Sequence, residues 1–151
     1  MDRIDHKLLD LLQQDAGRTN AQLAEAVGLS PSSCLRRIRR LRQSGVIART
    51  VAILSPARAG RRLLRALVTV ELKLHGEHHM RRFLELASAE PAVSHAYAVT
   101  GETDVVLMFS LFDMEEFDAI CDRLFRDNTN VARFFTMMVI RTAKEETAIR
   151  L

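Results

Sequence analysis

"LSPSSCLRRIRRLRQSG", residues 29–45, governs how the rest of the chain is read. Ser30 is a good N-cap, Pro31 suits the first helical position and Gly45 fits just past the end, which predicts a helix from Pro31 to Ser44. With successive residues about 100° apart, Cys34, Leu35, Ile38 and Leu41 fall on one side, which is expected to be core. Arg36, Arg40 and Gln43 point nearly opposite. Arg37 and Arg39 lie on the two borders, and Arg42 sits closer to the core side, where its stem can snorkel outward. Ser32 and Ser33 open the helix on its exposed flanks.

Five arginines therefore occupy the eight positions Leu35 to Arg42. An exposed helix face usually mixes signs, because i,i+4 pairs of opposite charge stabilise it. Here no acid lies between Glu25 and Glu71. Like charges on one helix cost stability unless something negative compensates. DNA phosphates would do so, and arginine also reads guanine O6 and N7 in the major groove.

The residues before this stretch give the helix its company. Ile4, Leu8, Leu11 and Leu12 recur at i, i+4, i+7 and i+8, one face of a helix that Gly17 is placed to end. "TNAQLAEAVG" predicts a short helix capped by Asn20, buried along Leu23, Ala24 and Val27 and closed by Gly28. The last two helices are separated by Gly28-Leu29-Ser30 alone. A tight, glycine-containing turn between short helices marks a helix-turn-helix.

Beyond Gly45 the pattern changes. "VIARTVAILSPARAG" reads as a strand followed by a Pro/Gly-bounded connection. In "LLRALVTVELKLH" the alternation puts Ala66, Val68, Val70, Leu72 and Leu74 on one face, with Thr69, Glu71 and Lys73 on the other. Met80, Phe83, Leu84 and Ala87 have helical spacing. "AVSHAYAVT" and "DVVLMFSLF" read as strands around the turn "GETD". Asp113 with Glu116 forms a capping box for a helix buried along Phe117, Ile120, Cys121 and Leu124. "VARFFTMMVIRT" is the last strand. The order β-α-β-β-α-β is the ferredoxin-like unit, with helices on one face and the other left for a partner subunit. The fold class is thus α+β. A helix-turn-helix (winged-helix-like) domain over 1–47 is joined by a linker strand and hinge, 48–62, to a ferredoxin-like domain over 63–151.

Charge follows the same division. Residues 1–65 hold 13 Lys and Arg against 5 Asp and Glu, and residues 66–151 hold 9 against 14. A basic half joined to an acidic half suits a first half that meets a polyanion and a second with another task. Cys34 and Cys121 match no CxxC spacing, so neither a disulfide framework nor a zinc cluster is expected, and a reducing cytoplasm fits. No stretch approaches the roughly 18 apolar residues of a membrane span.

Taken together the chain resembles the leucine-responsive/asparagine regulator (Lrp/AsnC) family of transcription factors. The resemblance rests on "GLSPSSCLRRIRRL" with the following "GVI", on "SPARAG", on "VTGETD" where the family has a Gly-x-x-Asp loop, and on the closing "VARFFTMMVIRTAKEET". It implies a helix-turn-helix that binds double-stranded operator DNA, with Ser32, Ser33, Arg36, Arg37 and Arg40 in contact. It implies a connecting strand that pairs between subunits, and homodimers that assemble further, commonly into octamers. A small effector, usually an amino acid, is implied near Gly101, Glu102, Thr103, Asp104 and Thr136. Neither a cofactor nor a metal is implied. Two positions depart from the family: Thr103 stands where an aromatic is common, and Phe134 replaces the first threonine of a Thr-x-Thr pair. These imply a larger, more apolar or different effector, or an unused site.

Other chemistry is weaker. "HGEHH", 75–79, has no Cys or acid cluster to complete a metal geometry. Sirohaem decarboxylases resemble the family in architecture and use histidine near this strand, which makes His95 the residue of an enzymatic alternative. A ligand-independent architectural DNA-binding protein is the third. No nucleophile elbow, P-loop or HExxH is present, so no enzyme is expected.

Overall fold

A computed structural model describes residues 1–56, 58–128 and 130–151. They divide into two compact units, one of residues 1–53 with 143–151, the other of residues 54–142. The division at 53/54 falls inside the expected linker, 48–62, and the last nine residues group with the N-terminal unit. There the Gln13 side-chain amide makes two hydrogen bonds to the backbone of Ile149, at 3.1 and 2.7 Å.

The first unit contains α1 (Arg3–Gln14), α2 (Asn20–Val27) and α3 (Pro31–Gln43). Leu8, Leu23, Ala24, Cys34 and Ile38 form its core. The cap of α2 is Thr19, which shares a capping box with Gln22, and not Asn20. Asn20 is the first helical residue, and its amide donates to the Pro31 carbonyl at 2.8 Å, tying the start of α2 to the start of α3. Gly28 closes α2 at φ 70°, a left-handed conformation that a side chain would strain, and this sends the chain directly into α3. Ser30 caps α3 through the Ser33 amide, and Pro31 occupies its first turn.

The strand expected across the linker does not form: among the described residues 44–63 no strand occurs. Val51, Ile53 and Leu54 are exposed there. A lone extended segment has no ladder partner for its N–H and C=O groups, so it is not recorded as a strand.

The second unit is built from β1 (Leu64–Leu72), α4 (Glu77–Ala89), β2 (Val93–Ala98), β3 (Val105–Leu111), α5 (Met114–Cys121) and β4 (Val131–Met138). The sheet order is β2-β3-β1-β4, antiparallel throughout. Ala66, Val68, Val70 and Leu72 pack with Val105, Leu107, Phe109 and Leu111 against Phe83, Phe117, Ile120 and Phe125 from the helical side. Leu74 lies past the end of β1 and is exposed, so the buried alternation stops at Leu72. Asp113 caps α5 as expected, but the return bond of Glu116 goes to the Phe112 amide. Beyond Cys121 the helix widens into a π-helical turn, Asp122–Arg126. On the open face of the sheet, pairing places Tyr97 beside Val106, Phe135 beside Thr69 and Met137 beside Leu67. Tyr97, Phe135 and Met137 stay about half exposed.

Candidate nucleic-acid interface

The second helix of the helix-turn-helix, α3, carries the candidate interface. Cys34, Ile38 and Leu41 are its buried residues. Leu35, expected in the core, is 37% exposed. The helix geometry explains the difference: Leu35 lies about 90° from the middle of the buried stripe and Arg37 only about 70°. Arg37 accordingly is the less exposed of the two at 25% of its side chain.

What receives Arg37 is the N-terminus of α1. Asp2 caps that helix, its Oδ1 accepting from the amides of Ile4 and Asp5, while Asp5 Oδ2 accepts from the Asp2 amide. Asp5 is fully buried, the one charged residue in that state among the described residues. Arg37 Nη1 donates to Asp5 Oδ1 at 2.9 Å and to Asp2 Oδ2 at 2.6 Å. Arg40 Nη2 donates to Asp5 Oδ2 at 2.6 Å. The Asp5 carboxylate is thus satisfied on both oxygens, which a buried charge requires.

These contacts fix the protonation of the cluster. The Asp5 amide and then Arg37 hold Asp2 down from the ordinary 3.8 to about 2. Burial pushes Asp5 upward, but the Asp2 amide and the two guanidiniums outweigh it, and its pKa also lies below the usual value. Arg37 is raised by the two carboxylates. Burial raises the thiols of Cys34 and Cys121, so neither is an activated nucleophile.

The predicted contact residues therefore separate. Ser32 and Arg36 are exposed. Ser33 is half-buried, and its amide and hydroxyl both engage the Ser30 cap. Arg40 keeps more than half of its side chain exposed while one nitrogen is held by Asp5. Arg37 is turned back onto α1. Opposite the buried stripe stand Ser32, Arg36 and Gln43, with Arg39 about 50° to one side, all exposed. Arg36 and Arg39 make no ion pair among the described residues. Arg39 is absent from the set the sequence nominates, because its border angle does not show which of the two border arginines an acid claims.

In the second unit the loop Gly101–Asp104 is fastened to the end of β1. The Thr103 hydroxyl donates to the Val70 carbonyl at 2.9 Å, and the Asp104 amide to the same oxygen at 3.0 Å. Asp104 Oδ2 accepts from the Leu72 amide at 2.8 Å, with His75 Nδ1 3.6 Å from its other oxygen. Thr103 and Asp104 thus terminate the ladder, while Glu102 is exposed and the amides of Gly101 and Glu102 have no partner among the described residues. Thr136, on β4, pairs with Val68 of β1, and β1 separates β4 from β3 in the sheet. Phe134 stacks on Phe125 with ring centroids 4.6 Å apart and packs against the core. Its extra bulk completes the chain's own interior. Two cavities, of about 390 Å³ in the second unit and 630 Å³ in the first, include none of these residues in their walls.

The remaining candidates gain little company. His78 and His79 touch edge to face, and no three His, Cys, Asp or Glu side chains converge among the described residues. His95 lies on β2, stacked on Tyr97 and 3.1 Å from the Ser94 hydroxyl. No helix among the described residues is long and apolar enough to cross a membrane.

Known proteins share this arrangement. Residues 1–48 match the family model for winged helix-turn-helix DNA-binding domains, and residues 65–149 that for the Lrp/AsnC ligand binding domain. The leucine-responsive regulatory protein of Rhizobium meliloti is 33% identical over 151 residues, covering 100% of this chain and 96% of its own. The crystal structure of an AsnC family transcriptional regulator from Agrobacterium tumefaciens superimposes with a TM-score of 0.90 at 31% identity, covering 99% of this chain and 97% of that one. A Neisseria meningitidis transcriptional regulator in complex with L-Met gives 0.88 at 30% identity, covering 99% and 96%.

Proposed function

The chain belongs to the Lrp/AsnC family of transcriptional regulators, with a DNA-binding helix-turn-helix and a ligand-binding domain, and on that footing we propose how the two units divide the work. The first unit reads operator DNA in a sequence-specific way. Ser32, Arg36 and Arg39 face the major groove, with Ser33 and Arg40 on the flank nearest α1. The observation that carries this reading is the exposed line Ser32-Arg36-Arg39 on a docked α3, in a stretch with no acid from residue 26 to residue 70. Phosphates supply the missing counter-charge, and guanidinium forks read base edges.

The second unit joins copies of the chain and senses a small molecule. Its open sheet face, with Tyr97, Phe135 and Met137 half exposed, pairs with the same face of a second copy, and the unpaired linker around Val51 gains its ladder partner in that dimer. Paired α3 helices then meet half-sites one helical turn, or a multiple, apart. The effector is an amino acid. Its carboxylate suits the unpartnered amides of Gly101 and Glu102, and its ammonium suits the exposed Glu102 carboxylate, with Thr136 contributed by another subunit. It acts by binding one assembly, or one spacing of the helices, more tightly than another. We assign the protein to the cytoplasm and assign it no reaction.

The test is a gel shift on the DNA upstream of its own gene, alongside a thermal-shift panel of the amino acids. The expected result is a shifted band that one amino acid strengthens or weakens, together with thermal stabilisation by that amino acid. Retardation that ignores every amino acid would remove the sensing role. No retardation on any duplex would remove the DNA-binding role.

A further inference from the structure

The Asp2–Asp5 cluster does more than pack α1 against α3. A helix with five arginines in eight positions binds any duplex, because every phosphate neutralised adds to sequence-independent affinity. Specificity is the ratio between the chosen site and that background. Lowering the background therefore sharpens discrimination without any new base contact.

Resting on the DNA-binding reading above, we propose that Asp5, aided by Asp2, is a specificity-determining residue that acts through Arg37 and Arg40. It serves as a built-in counter-anion that competes with DNA phosphate for these two guanidiniums. Arg37 is withdrawn: both carboxylates lie within 2.9 Å of its Nη1, and only a quarter of its side chain is exposed. Arg40 is held by one nitrogen at 2.6 Å, which sets the plane of its fork while the rest of the group stays in solvent. Arg36 and Arg39 have no such restraint. Asp5 touches no DNA. It is a positioning residue whose effect on binding has a sign opposite to that of a merely structural residue.

The experiment measures affinity against salt for two duplexes, the operator fragment and one of arbitrary sequence. The proteins are the full-length wild type, Asp5→Asn and Asp5→Asn/Arg37→Gln. Asp5→Asn is expected to tighten binding to the arbitrary duplex and to steepen its log K against log salt slope by about 0.9 for each arginine released. The ratio of operator to arbitrary affinity falls. Adding Arg37→Gln takes back that arginine's share of the slope. Asp5→Glu, which keeps the charge, restores the wild-type slope. A structural role alone predicts weaker binding to both duplexes and a slope that does not steepen, and that result overturns the proposal. If Asp5→Asn does not fold, Asp2→Asn decides on the same readout, because Asp2 is half exposed and makes the shorter contact to Arg37. A smaller steepening supports the proposal and an unchanged slope overturns it. Wild type that binds neither duplex fails the DNA-binding reading. Wild type that binds with a salt slope Asp5→Asn leaves alone fails only the counter-anion.

Discussion

The two units are held together by different means. The ligand-binding unit rests on seventeen buried apolar residues around one sheet face, with no buried charge among the described residues. The helix-turn-helix unit has a core cluster of five and, beside it, a fully buried carboxylate tied to two arginines. A unit that must present positive charge to a polyanion cannot bury all of its polar groups' partners in oil. It spends part of its surface on contacts that respond to protons and salt, whereas the sheet unit responds mainly to lost volume.

That contrast can be broken most forcefully from the sheet side. Phe109 is 1% exposed and touches Phe117 and Phe125 edge to face. Phe109→Ala is expected to cost about 4 kcal/mol. The chain has one tyrosine, Tyr97 on β2, and no tryptophan, so tyrosine fluorescence reports this unit alone. The loss should appear there, at lower denaturant, while the helix-turn-helix keeps its protection against amide exchange. Asp5→Asn is the mirror experiment. Removing the carboxylate that two arginines share is expected to cost about 2 kcal/mol, visible as faster amide exchange in α1 and α3 with the Tyr97 transition unmoved.

Acid sharpens the same difference. Asp2 titrates at about 2 in the folded chain against an ordinary 3.8, and Asp5 is shifted in the same direction. A carboxyl whose folded pKa is depressed contributes stability that is complete above its unfolded value and lost as pH falls through the folded one. From about pH 4 down to about 2 the first unit should therefore loosen, with exchange rising in α1 and α3 before Tyr97 fluorescence changes. Simultaneous loss in both units would contradict the contrast. The smallest effect is at the turn. Ser30→Ala removes the cap on the Ser33 amide and should cost about 1 kcal/mol, read as a modest fall in the helix-turn-helix midpoint.

Much of this was legible in the residues. Ser30-Pro31 opening a helix, the alternation from Ala66 to Leu72, and the capping aspartate at Asp113 are local signals, and local chemistry decides them. The misplacements have tertiary causes. Thr19 and Asn20 are both good caps, and the Pro31 carbonyl, eleven residues on, claims the asparagine. The linker strand does not form because the one sheet, β2-β3-β1-β4, gives it no ladder among the described residues. Asp2 and Asp5 form a capping box that the sequence reading does not identify, and the arginines that make Asp5 a buried ion lie 32 and 35 residues away. At the candidate effector loop the residue types were legible and their commitments were not: Thr103 and Asp104 spend their side chains on Val70 and Leu72, which leaves Glu102 outward.

The central claim is that α3 meets DNA through its outward arginines. The most direct measurement is operator affinity across a salt series for wild type and Arg36→Ala, at a pH where both are folded. The account predicts that log K falls linearly with log salt for wild type. It predicts that Arg36→Ala weakens operator binding, by about 1–3 kcal/mol if the residue reads a base, and narrows the preference for operator over arbitrary sequence. Affinity independent of salt, or an Arg36→Ala protein with operator preference intact, would contradict it.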